Sequence, residues 1–501
     1  MLKRVACLLL CMLFVASSLL LVACDDGEAT SSTTSVTGDA SGFLNEAKNW
    51  GGKDITILGY NGEFIYHTSQ IAPEELCDEP VSDAVYNRNT FIAEQYGLNI
   101  EVVVPTQEQD PIAMIKNDVS ANTGEFNVLI NPLNWMTSLV TENMIYDYNS
   151  IQNGYLHLDK EWWDQDIIED LVVNDKVFFL AGDAIIEDDE STWAMFFNKD
   201  MFTSNAALAE YGSIYKIVED GKWTLDVMYE MLKNVNRTVG DTKDYKGALE
   251  ADGDQWGMVA QMYDFYLFMQ GCEQILIDND GEVPTMRIDD DLNISTFNAL
   301  ANIMYDDQNV GVAESFGSWN SGVYQEKRQI FAAGNALFMP SQLATVGQQV
   351  MRNANIRYGI LPMPKRNELQ DRYTTSVQVY HCAAIAIPVS VVGEDLDATC
   401  YALEAMAYYG KQKVTPEYYD RTLTYKRFED EESGAMLEIL FNNKIYDMGA
   451  VFEFGTGEAT TLQFYTSLFG QKNTNIVSHF ETRRNVFQAG IDDFIAKCYN
   501  A

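Results

Sequence analysis

Residues 54–130 alternate between short apolar runs and helix-like segments, and this alternation restricts the fold more than any other part of the chain. The runs DITILGY, LNIEVVV and FNVLI predict strands, because each is short and rich in apolar residues. The two segments between them have apolar residues at helical spacing. This order predicts an α/β fold with a parallel sheet and right-handed crossovers. Ligands bind beyond the carboxyl ends of such strands, which draws attention to the segments YNGEF and NPLNW.

The chain begins with a basic start and a long apolar run. Lys3 and Arg4 precede an almost unbroken apolar stretch from Val5 to Ala23, and Cys24 follows directly. This is the pattern of a secretory signal, and its end resembles the bacterial lipobox, in which cleavage frees the cysteine for lipid attachment. The alternative is an uncleaved anchor, because the run is long enough to span a bilayer. Both interpretations place the rest of the chain outside the cytoplasm.

We therefore expect a lipoprotein signal peptide over residues 1–23, followed by a flexible tether over residues 24–46. The segment after Cys24 has one branched aliphatic residue before position 42, Val36, and no aromatic residue. Such a composition cannot bury enough apolar surface to fold. The expected location is the outer face of the bacterial cell membrane, with the protein anchored by lipid on Cys24.

The charge of the chain excludes one class of partner. It has 33 basic and 74 acidic residues, a formal net charge of −41. A field of this sign repels phosphate backbones, so we expect no nucleic acid partner.

The remaining cysteines do not form a disulfide pattern. They are odd in number and include no CxxC pair; they are Cys77, Cys272, Cys382, Cys400 and Cys498. We interpret most of them as buried thiols that act as small hydrophobic residues.

Motifs for catalysis, metal binding and cofactor binding are missing. The sequence has no HExxH, GxSxG or GxxxxGK[ST], and GTGEAT at 455–460 lacks the third glycine of a dinucleotide loop. DNDGE at 278–282 lacks the later acidic ligand of a calcium loop and is interpreted as a hairpin turn. We predict no cofactor, no metal and no enzyme activity, although a pair of glycosidase carboxylates stays open because acidic residues are abundant.

Aromatic residues make up 12% of the chain, and several lie beside polar residues rather than inside apolar runs. Trp135, Trp193, Trp256 and Trp319 have such neighbours, and the segment MYDFYLF places two tyrosines around an aspartate. A flat aromatic face packs on the C–H face of a sugar ring, while amides and carboxylates bond its hydroxyls. Any one of these rings fits an ordinary core, but as a set they favour a pocket for a neutral ligand with many hydroxyls.

Several segments together resemble the bacterial extracellular solute-binding proteins of carbohydrate ABC transporters, the maltose-binding type. The resemblance covers nearly all of residues 50–501 and is carried by the segments AMFFNKDMF, GKWTLDVMYEMLK, DQWGM, FAAGNALFMP, YGILPMPKRNELQDRYTT and VTPEYYDRTLTYKRFEDEESGAML. It implies a two-lobed α/β clamp of the type II periplasmic-binding-protein kind, with discontinuous lobes joined by a hinge. Lobe one would contain residues 47–182 and 376–435, and lobe two residues 183–375 and 436–501.

The resemblance also implies where the ligand binds. Family members bind through loops that follow strands of both lobes, and through an acidic turn after the first crossover. The matching residues are, in lobe one, Tyr60, Asn61, Glu63, Asn131, Asn134 and Trp135; at the acidic turn, Asp183, Glu190, Ser191 and Trp193; and in lobe two, Tyr263, Tyr266, Ser341 and Gln342. Some relatives have a tryptophan at the position of Leu343, so this chain departs from them there.

The expected function is therefore that of a monomeric, lipid-anchored substrate-binding protein. It would capture a sugar or oligosaccharide and deliver it to the permease subunits of an ABC transporter. Two alternatives stay open: a surface lipoprotein that hydrolyses glycosides, and a ligand sensor without a transporter.

Overall fold

The computed structural model describes residues 42–60, 71–316, 323–424 and 432–499. Cys24, the signal peptide and most of the predicted tether lie outside these residues, as do Asn61, Glu63 and Trp319. All the elements below belong to the compact unit that begins at Asn45.

The strands of the described residues are short, and most belong to two sheets. They are β1 (Lys53–Leu58), β2 (Leu98–Val103), β3 (Val128–Pro132), β4 (Trp193–Asn198), β5 (Trp256–Ala260), β6 (Ile277–Asp278), β7 (Thr285–Met286), β8 (Val310–Val312), β9 (Ala336–Gln342), β10 (Tyr358–Leu361), β11 (Thr375–Ser376), β12 (Ala383–Ala386), β13 (Lys444–Ile445), β14 (Gly455–Thr456) and β15 (Ala459–Thr460).

The helices lie mainly between the strands. They are α1 (Pro80–Tyr96), α2 (Pro111–Ala121), α3 (Leu133–Thr141), α4 (Gln165–Asp170), α5 (Glu187–Ser191), α6 (Lys199–Ser204), α7 (Ala206–Ala209), α8 (Ile214–Glu219), α9 (Leu225–Leu232), α10 (Asp264–Gly271), α11 (Asp291–Met304), α12 (Val323–Ala332), α13 (Gln349–Arg352), α14 (Glu394–Lys413), α15 (Thr415–Thr424), α16 (Glu432–Phe441), α17 (Met448–Val451), α18 (Gln463–Gly470), α19 (Ile476–Glu481) and α20 (Arg484–Cys498).

The first sheet has four strands in the order β12-β3-β1-β2. β1 is parallel to both β2 and β3, whereas β12 runs antiparallel to β3, with Ala384 opposite Asn131. The strand–helix–strand order that the sequence predicts over residues 54–130 is thus confirmed. Every residue of β3 is buried, because strands lie on both of its sides and other elements cover its faces.

The first helix of this sheet ends at a glycine. Gly97 caps α1 in the left-handed conformation, with φ of 62°. A Cβ there would lie 2.7 Å from the Asn49 side chain and 3.0 Å from the Gly51 nitrogen, so glycine suits both the conformation and the space. At the other end the Glu79 carboxylate accepts a hydrogen bond from the Ser82 nitrogen at 3.1 Å and caps the helix.

The second sheet has five strands in the order β10-β4-β9-β5-β8. Its central pair, β5 and β9, is parallel, and β8 is parallel to β5 on the other side. β4 runs antiparallel to β9, so that Trp193 at the start of β4 lies opposite Gln342 at the end of β9. The carboxyl ends of β5, β8 and β9 and the start of β4 therefore share one edge.

The chain passes repeatedly between the two sheets, and the passing segments lie side by side. Thr192 pairs with Val377, and β11 pairs in parallel with β13. The Gln378 nitrogen also donates to the Ser191 carbonyl oxygen at 3.0 Å. These contacts tie together segments near residues 192, 376 and 444, which we call the crossing segments.

Some predictions of detail can be compared directly with the structure. DNDGE lies in the antiparallel β6–β7 hairpin, as predicted. Cys272, Cys382, Cys400 and Cys498 are buried, whereas Cys77 is exposed. None of the helices in the described ranges combines the length and apolar character that a bilayer crossing requires.

Candidate functional site

An aromatic pair lies at the carboxyl edge of the first sheet. Tyr60 follows β1, and Trp135 lies in the first turn of α3, directly after β3. Their ring centroids are 4.7 Å apart with the planes at 87°, an edge-to-face contact. Trp135 is 42% exposed, so part of its ring is open to a ligand. The structure thus brings together two residues that the sequence placed in separate loops.

Two asparagines beside this pair have unpaired polar atoms. Asn131, in β3, is completely buried, and neither its Nδ2 nor its Oδ1 has a hydrogen-bond partner within the described residues. Asn134 donates from Nδ2 to Glu453 Oε1 at 2.9 Å, while its Oδ1 has no partner in the same part of the chain. A buried polar group without a partner costs about 1–3 kcal/mol, so such atoms at a strand end are open to hydrogen bonds with a ligand or with ordered water.

The edge of the second sheet repeats this arrangement. Trp193 is buried at the start of β4, and Gln261 is buried just after β5. The Trp193 indole Nε1 and both amide atoms of Gln261 lack partners among the residues that the structure describes. In the same edge Gln342 Oε1 is 2.7 Å from His381 Nδ1, and Ser341 Oγ is 2.7 Å from Thr345 Oγ1. The two sheets thus each contribute unpaired donors and acceptors at the edges where ligands bind in α/β folds.

A buried ion pair supports the second edge. Lys327 Nζ lies 3.1 Å from Asp264 Oδ2 and donates to the Pro340 carbonyl oxygen at 2.7 Å. The Gln261 nitrogen also donates to Asp264 Oδ2 at 2.8 Å, and the ammonium is 5.3 Å from the Trp193 ring centroid. Burial raises the pKa of Asp264 to about 6 and lowers that of Lys327. The pair fixes the ends of β5 and β9 relative to Trp193, and the sequence analysis did not identify it.

Residues of the two predicted lobes contact each other beside these edges. The rings of Tyr263 and Tyr380 are 6.1 Å apart, and Gln463 donates to the Tyr380 hydroxyl at 3.1 Å. The bond from Asn134 to Glu453 joins the same two parts of the chain. Tyr380, Gln463 and Glu453 are not among the site residues that the sequence predicts. Tyr380 lies just before β12, and because β12 runs antiparallel to β3, this position is at the edge where β3 ends. The sequence does not reveal the direction of β12, so it gave no signal for Tyr380.

Other predicted site residues lie apart from this group. Tyr266 is fully buried in α10 and donates to Asp447 Oδ2 at 3.3 Å, so its hydroxyl is engaged in the core. Asp183 accepts a hydrogen bond from the Thr415 hydroxyl and lines a separate cavity of about 380 Å³. Burial raises the pKa of Asp183 to about 7. Glu190 and Ser191 lie in α5, next to the crossing segments.

The crossing segments hold a compact group of charges, which we call the crossing cluster. Lys444 Nζ lies 3.0 Å from Asp164 Oδ2, 2.6 Å from Asp188 Oδ2 and 2.8 Å from Asp189 Oδ1. The Tyr446 hydroxyl also donates to Asp164 Oδ2 at 2.8 Å.

Burial and the neighbouring charges shift the pKa values of the side chains in this cluster. Burial, followed by the repulsion of Asp189 and Asp164, raises the pKa of Asp188 well above its ordinary value. Burial would also raise the pKa of Asp164, but attraction to Lys444 keeps it below its ordinary value. Burial lowers the pKa of Lys444, but attraction to the three carboxylates raises it well above normal, so the ammonium stays charged.

Nothing in the described ranges points to a metal centre. No group of three or more His, Cys, Asp or Glu side chains in those ranges is arranged to hold a metal ion. The chemistry available at the two sheet edges is hydrogen bonding by amides and an indole, together with contact to aromatic rings.

Comparison with known proteins places this geometry in a structural class. No protein-family profile and no curated protein matches the sequence. Solved structures do match, among them UspC of M. tuberculosis, with a TM-score of 0.55 and 13% identity, covering 87% of this chain and 100% of that one. A cyclo/maltodextrin-binding protein complexed with maltotetraose matches with a TM-score of 0.54 and 12% identity, covering 89% and 98%.

An ABC substrate-binding protein from Listeria monocytogenes in complex with cycloalternan also matches, with a TM-score of 0.51, 11% identity and coverage of 89% and 98%. At these identities the likeness concerns the fold. The chain therefore has the two-lobed periplasmic-binding-protein fold of these structures, as the resemblance of its sequence implied.

Proposed function

We propose that this protein is an extracytoplasmic substrate-binding protein that captures a neutral sugar or oligosaccharide for uptake by an ABC transporter. In this proposal the protein is a monomer that lipid on Cys24 anchors to the outer face of the cell membrane. Permease subunits of the transporter receive the sugar.

The observation that carries the proposal is the set of unpaired buried polar atoms on both sheet edges. Asn131 on one edge, and Trp193 and Gln261 on the other, offer donors and acceptors that have no partner in the described chain. The exposed ring of Trp135 adds an aromatic face beside them. Amides beside aromatic rings suit a ligand with many hydroxyls and no charge. Structural neighbours that bind maltotetraose and cycloalternan support the same ligand class.

The two-lobed fold supports binding by closure. If lobe one consists of residues 47–182 and 376–435, and lobe two of 183–375 and 436–501, the crossing segments act as the hinge. A sugar that contacts Trp135 on one lobe and Tyr263 on the other has a higher affinity for the closed state and so shifts the population toward it. Contacts on one lobe alone would bind the sugar without closing the protein.

A thermal-shift screen of mono- and oligosaccharides, followed by calorimetry, tests the proposal. A cognate sugar raises the melting temperature by mass action and binds with a stoichiometry of one. The same mixtures are then assayed for hydrolysis products. Steady release of products would favour the glycoside hydrolase, and failure of every sugar to bind would contradict the proposed function.

Small-angle scattering with the sugar identified in the screen tests closure. We expect a smaller radius of gyration at saturation than in the free protein. An unchanged radius would contradict the clamp while leaving sugar binding intact. A neighbouring pair of permease genes would distinguish transport from ligand sensing.

Fractionation of cells tests the anchor. A Cys24→Ala variant should leave the membrane fraction or remain unprocessed, because stable attachment requires the lipid chains. Cys77→Ala, which changes an exposed cysteine of the folded part, is the matched control and should stay with the membranes. Membrane association of the Cys24→Ala protein at the normal level would instead support an uncleaved anchor.

A further inference from the structure

A cavity of about 870 Å³ lies beside the second sheet, near the end of β8. Its inner wall is largely apolar and includes Trp256, Met262 and Phe316. Its rim is polar and includes Asn236, Thr238, Asp241, Thr242, Gln308 and Ser315. The volume falls in the upper part of the range of about 300–1,000 Å³ that is typical of ligand pockets. The sequence analysis assigned no role to most of these residues.

A glycine in β8 makes the aromatic wall possible. A Cβ on Gly311 would lie 3.0 Å from the Trp256 ring and 3.2 Å from Phe316 Cζ. Both rings therefore close over the bare backbone of β8, with their centroids 5.3 Å apart. The rings of Tyr245 and Phe316 are also stacked, with their centroids 6.2 Å apart. Trp256 and Phe316 thus form a continuous aromatic group at the cavity wall.

The cavity adjoins the proposed sugar site. Met262 lines it, and the next residue along the chain is Tyr263, which contacts Tyr380 between the predicted lobes. The Glu314 carboxylate accepts hydrogen bonds from the Met262 nitrogen at 2.9 and 3.0 Å. This contact ties the loop after β8 to the end of β5, so Met262 lies at the boundary between the cavity and the proposed sugar site.

The charges of the cavity favour a neutral occupant. Lys472 is paired with Asp307, and Lys243 donates to the Gln308 carbonyl oxygen at 2.5 Å. Both lysines of the lining therefore already have partners, and neither is reserved for an anion. Hydroxyl, amide and carboxylate groups on the rim, above an aromatic wall, fit the hydroxyls and C–H faces of sugar rings.

We propose that this cavity extends the sugar site and receives the distal units of a longer oligosaccharide. The inference rests on the proposed function, and it specifies the ligand as a chain of several units rather than a mono- or disaccharide. The proximal unit lies between Trp135 and Tyr263, and the following units pass Met262 to reach Phe316.

Calorimetry with malto-, cello-, xylo- and fructo-oligosaccharides of two to six units tests this extension. In the series that binds, we expect the affinity to rise by at least about tenfold from the disaccharide to the longest chain, as one further stacked ring provides. Ser315→Trp places a large ring on the exposed rim and should abolish this gain while changing the disaccharide affinity less than twofold. Ser204→Trp is the matched control, because Ser204 is an exposed serine that lies outside the cavity lining.

A second variant keeps the test decisive if Ser315→Trp does not fold. Phe316→Ala removes part of the aromatic wall without filling the cavity, and should also reduce the rise in affinity with chain length. Melting curves confirm that each variant is folded. Equal affinity for all chain lengths in the unchanged protein, or an equal loss at all lengths in Ser315→Trp, would overturn the extension but not sugar binding. Absence of binding by any saccharide would overturn the proposed function and the extension together.

Discussion

Buried polar side chains have opposite surroundings in two regions of this molecule. In the crossing cluster every charged group has a partner, and one ammonium contacts three carboxylates within 3.0 Å. At the sheet edges, buried amide and indole atoms of Asn131, Gln261 and Trp193 have no partner in the described chain. The polar side chains of both regions are buried, so burial alone does not explain the difference.

Under the proposed function, this difference separates residues that stabilise the fold from residues that bind the sugar. A buried charge must be paired, since an unpaired one destabilises the fold by several kcal/mol. An unpaired amide costs less, about 1–3 kcal/mol, and a ligand that forms the missing bonds recovers this free energy. Changes in the crossing cluster should therefore alter stability, whereas changes at the sheet edges should alter affinity.

The largest effect is expected in the crossing cluster. Lys444→Met removes the only cation that contacts Asp164, Asp188 and Asp189 in the described ion pairs. The free energy of unfolding should fall by about 3–5 kcal/mol, because buried carboxylates are left without compensation. Urea unfolding monitored by tryptophan fluorescence measures it.

A surface lysine provides the control for this change. Lys216→Met removes an ion pair whose lysine side chain is 63% exposed, and should leave the free energy of unfolding almost unchanged, because solvent screens an exposed pair. Equal effects of the two substitutions would show that the crossing cluster is no more important than a surface pair.

Next in size is the loss of the exposed ring at the first sheet edge. Trp135→Ala should weaken sugar binding by more than about 1 kcal/mol, because the ring no longer packs on the sugar, and should leave the melting temperature of the free protein nearly unchanged. Tyr211→Ala, at another exposed aromatic residue, is the control for calorimetry. Unchanged affinity in Trp135→Ala would remove this residue from the site.

A smaller effect is expected at Gln261, where a substitution should raise the stability of the fold and weaken sugar binding. Gln261→Met removes two unpaired polar atoms and should raise the free energy of unfolding by up to about 1 kcal/mol while weakening sugar binding about threefold. Gln370→Met is the paired control, because its amide bonds the Gly271 and Arg372 carbonyl oxygens and the Arg366 nitrogen. The control should lose stability and keep its affinity. The same result for both glutamines would refute the distinction between the two regions.

The smallest effect is expected between pH 6.5 and pH 8.5, where stability should depend on the protonation of one carboxyl next to the crossing cluster. Burial, with repulsion from Asp166, Asp447 and Asp164, raises the pKa of Asp170 to about 7. The folded state then holds a proton that the unfolded state releases near its ordinary pKa of about 3.9. The stabilisation is complete below about pH 4 and is lost as the pH rises through about 7.

Melting curves between pH 6.5 and pH 8.5 test this dependence. Asp170→Asn should show a smaller fall in melting temperature over this range than the unchanged protein. The exposed Asp252→Asn variant is the control and should retain the full fall. An identical fall in Asp170→Asn would mean that this carboxyl does not titrate as its surroundings indicate.

The sequence predicted the elements of the first sheet because their signals are local. Apolar runs, helical spacing and the position of Gly97 are visible within about twenty residues. The crossing cluster could not be predicted in this way, since Lys444 is 280 residues from Asp164 and 256 from Asp188. Nothing near any of them indicates that they meet, and the same holds for Lys327 and Asp264.

At the candidate site, a position directly after a strand predicts which aromatic residues lie together, whereas the spacing between two aromatic residues along the sequence does not. Tyr60 and Trp135 were chosen for their positions after strands, and their rings are in contact. Tyr266 was chosen for its spacing from Tyr263, yet it lies in the core. Every residue of α10 is buried, so its sequence has no polar face to indicate which side is directed toward the site.

The position of β12 has a consequence for how the chain acquires its structure. β3 ends at Pro132, but the strand that covers its outer edge begins only at Ala383, about 250 residues later. At synthesis rates of about 5–20 residues per second, the hydrogen-bonding groups of β3 stay uncovered for roughly 12 to 50 seconds. An open edge on a largely apolar strand attracts other chains, and pairing across so long a loop is slow to form. The newly made polypeptide therefore depends on protection from aggregation until its last third has emerged.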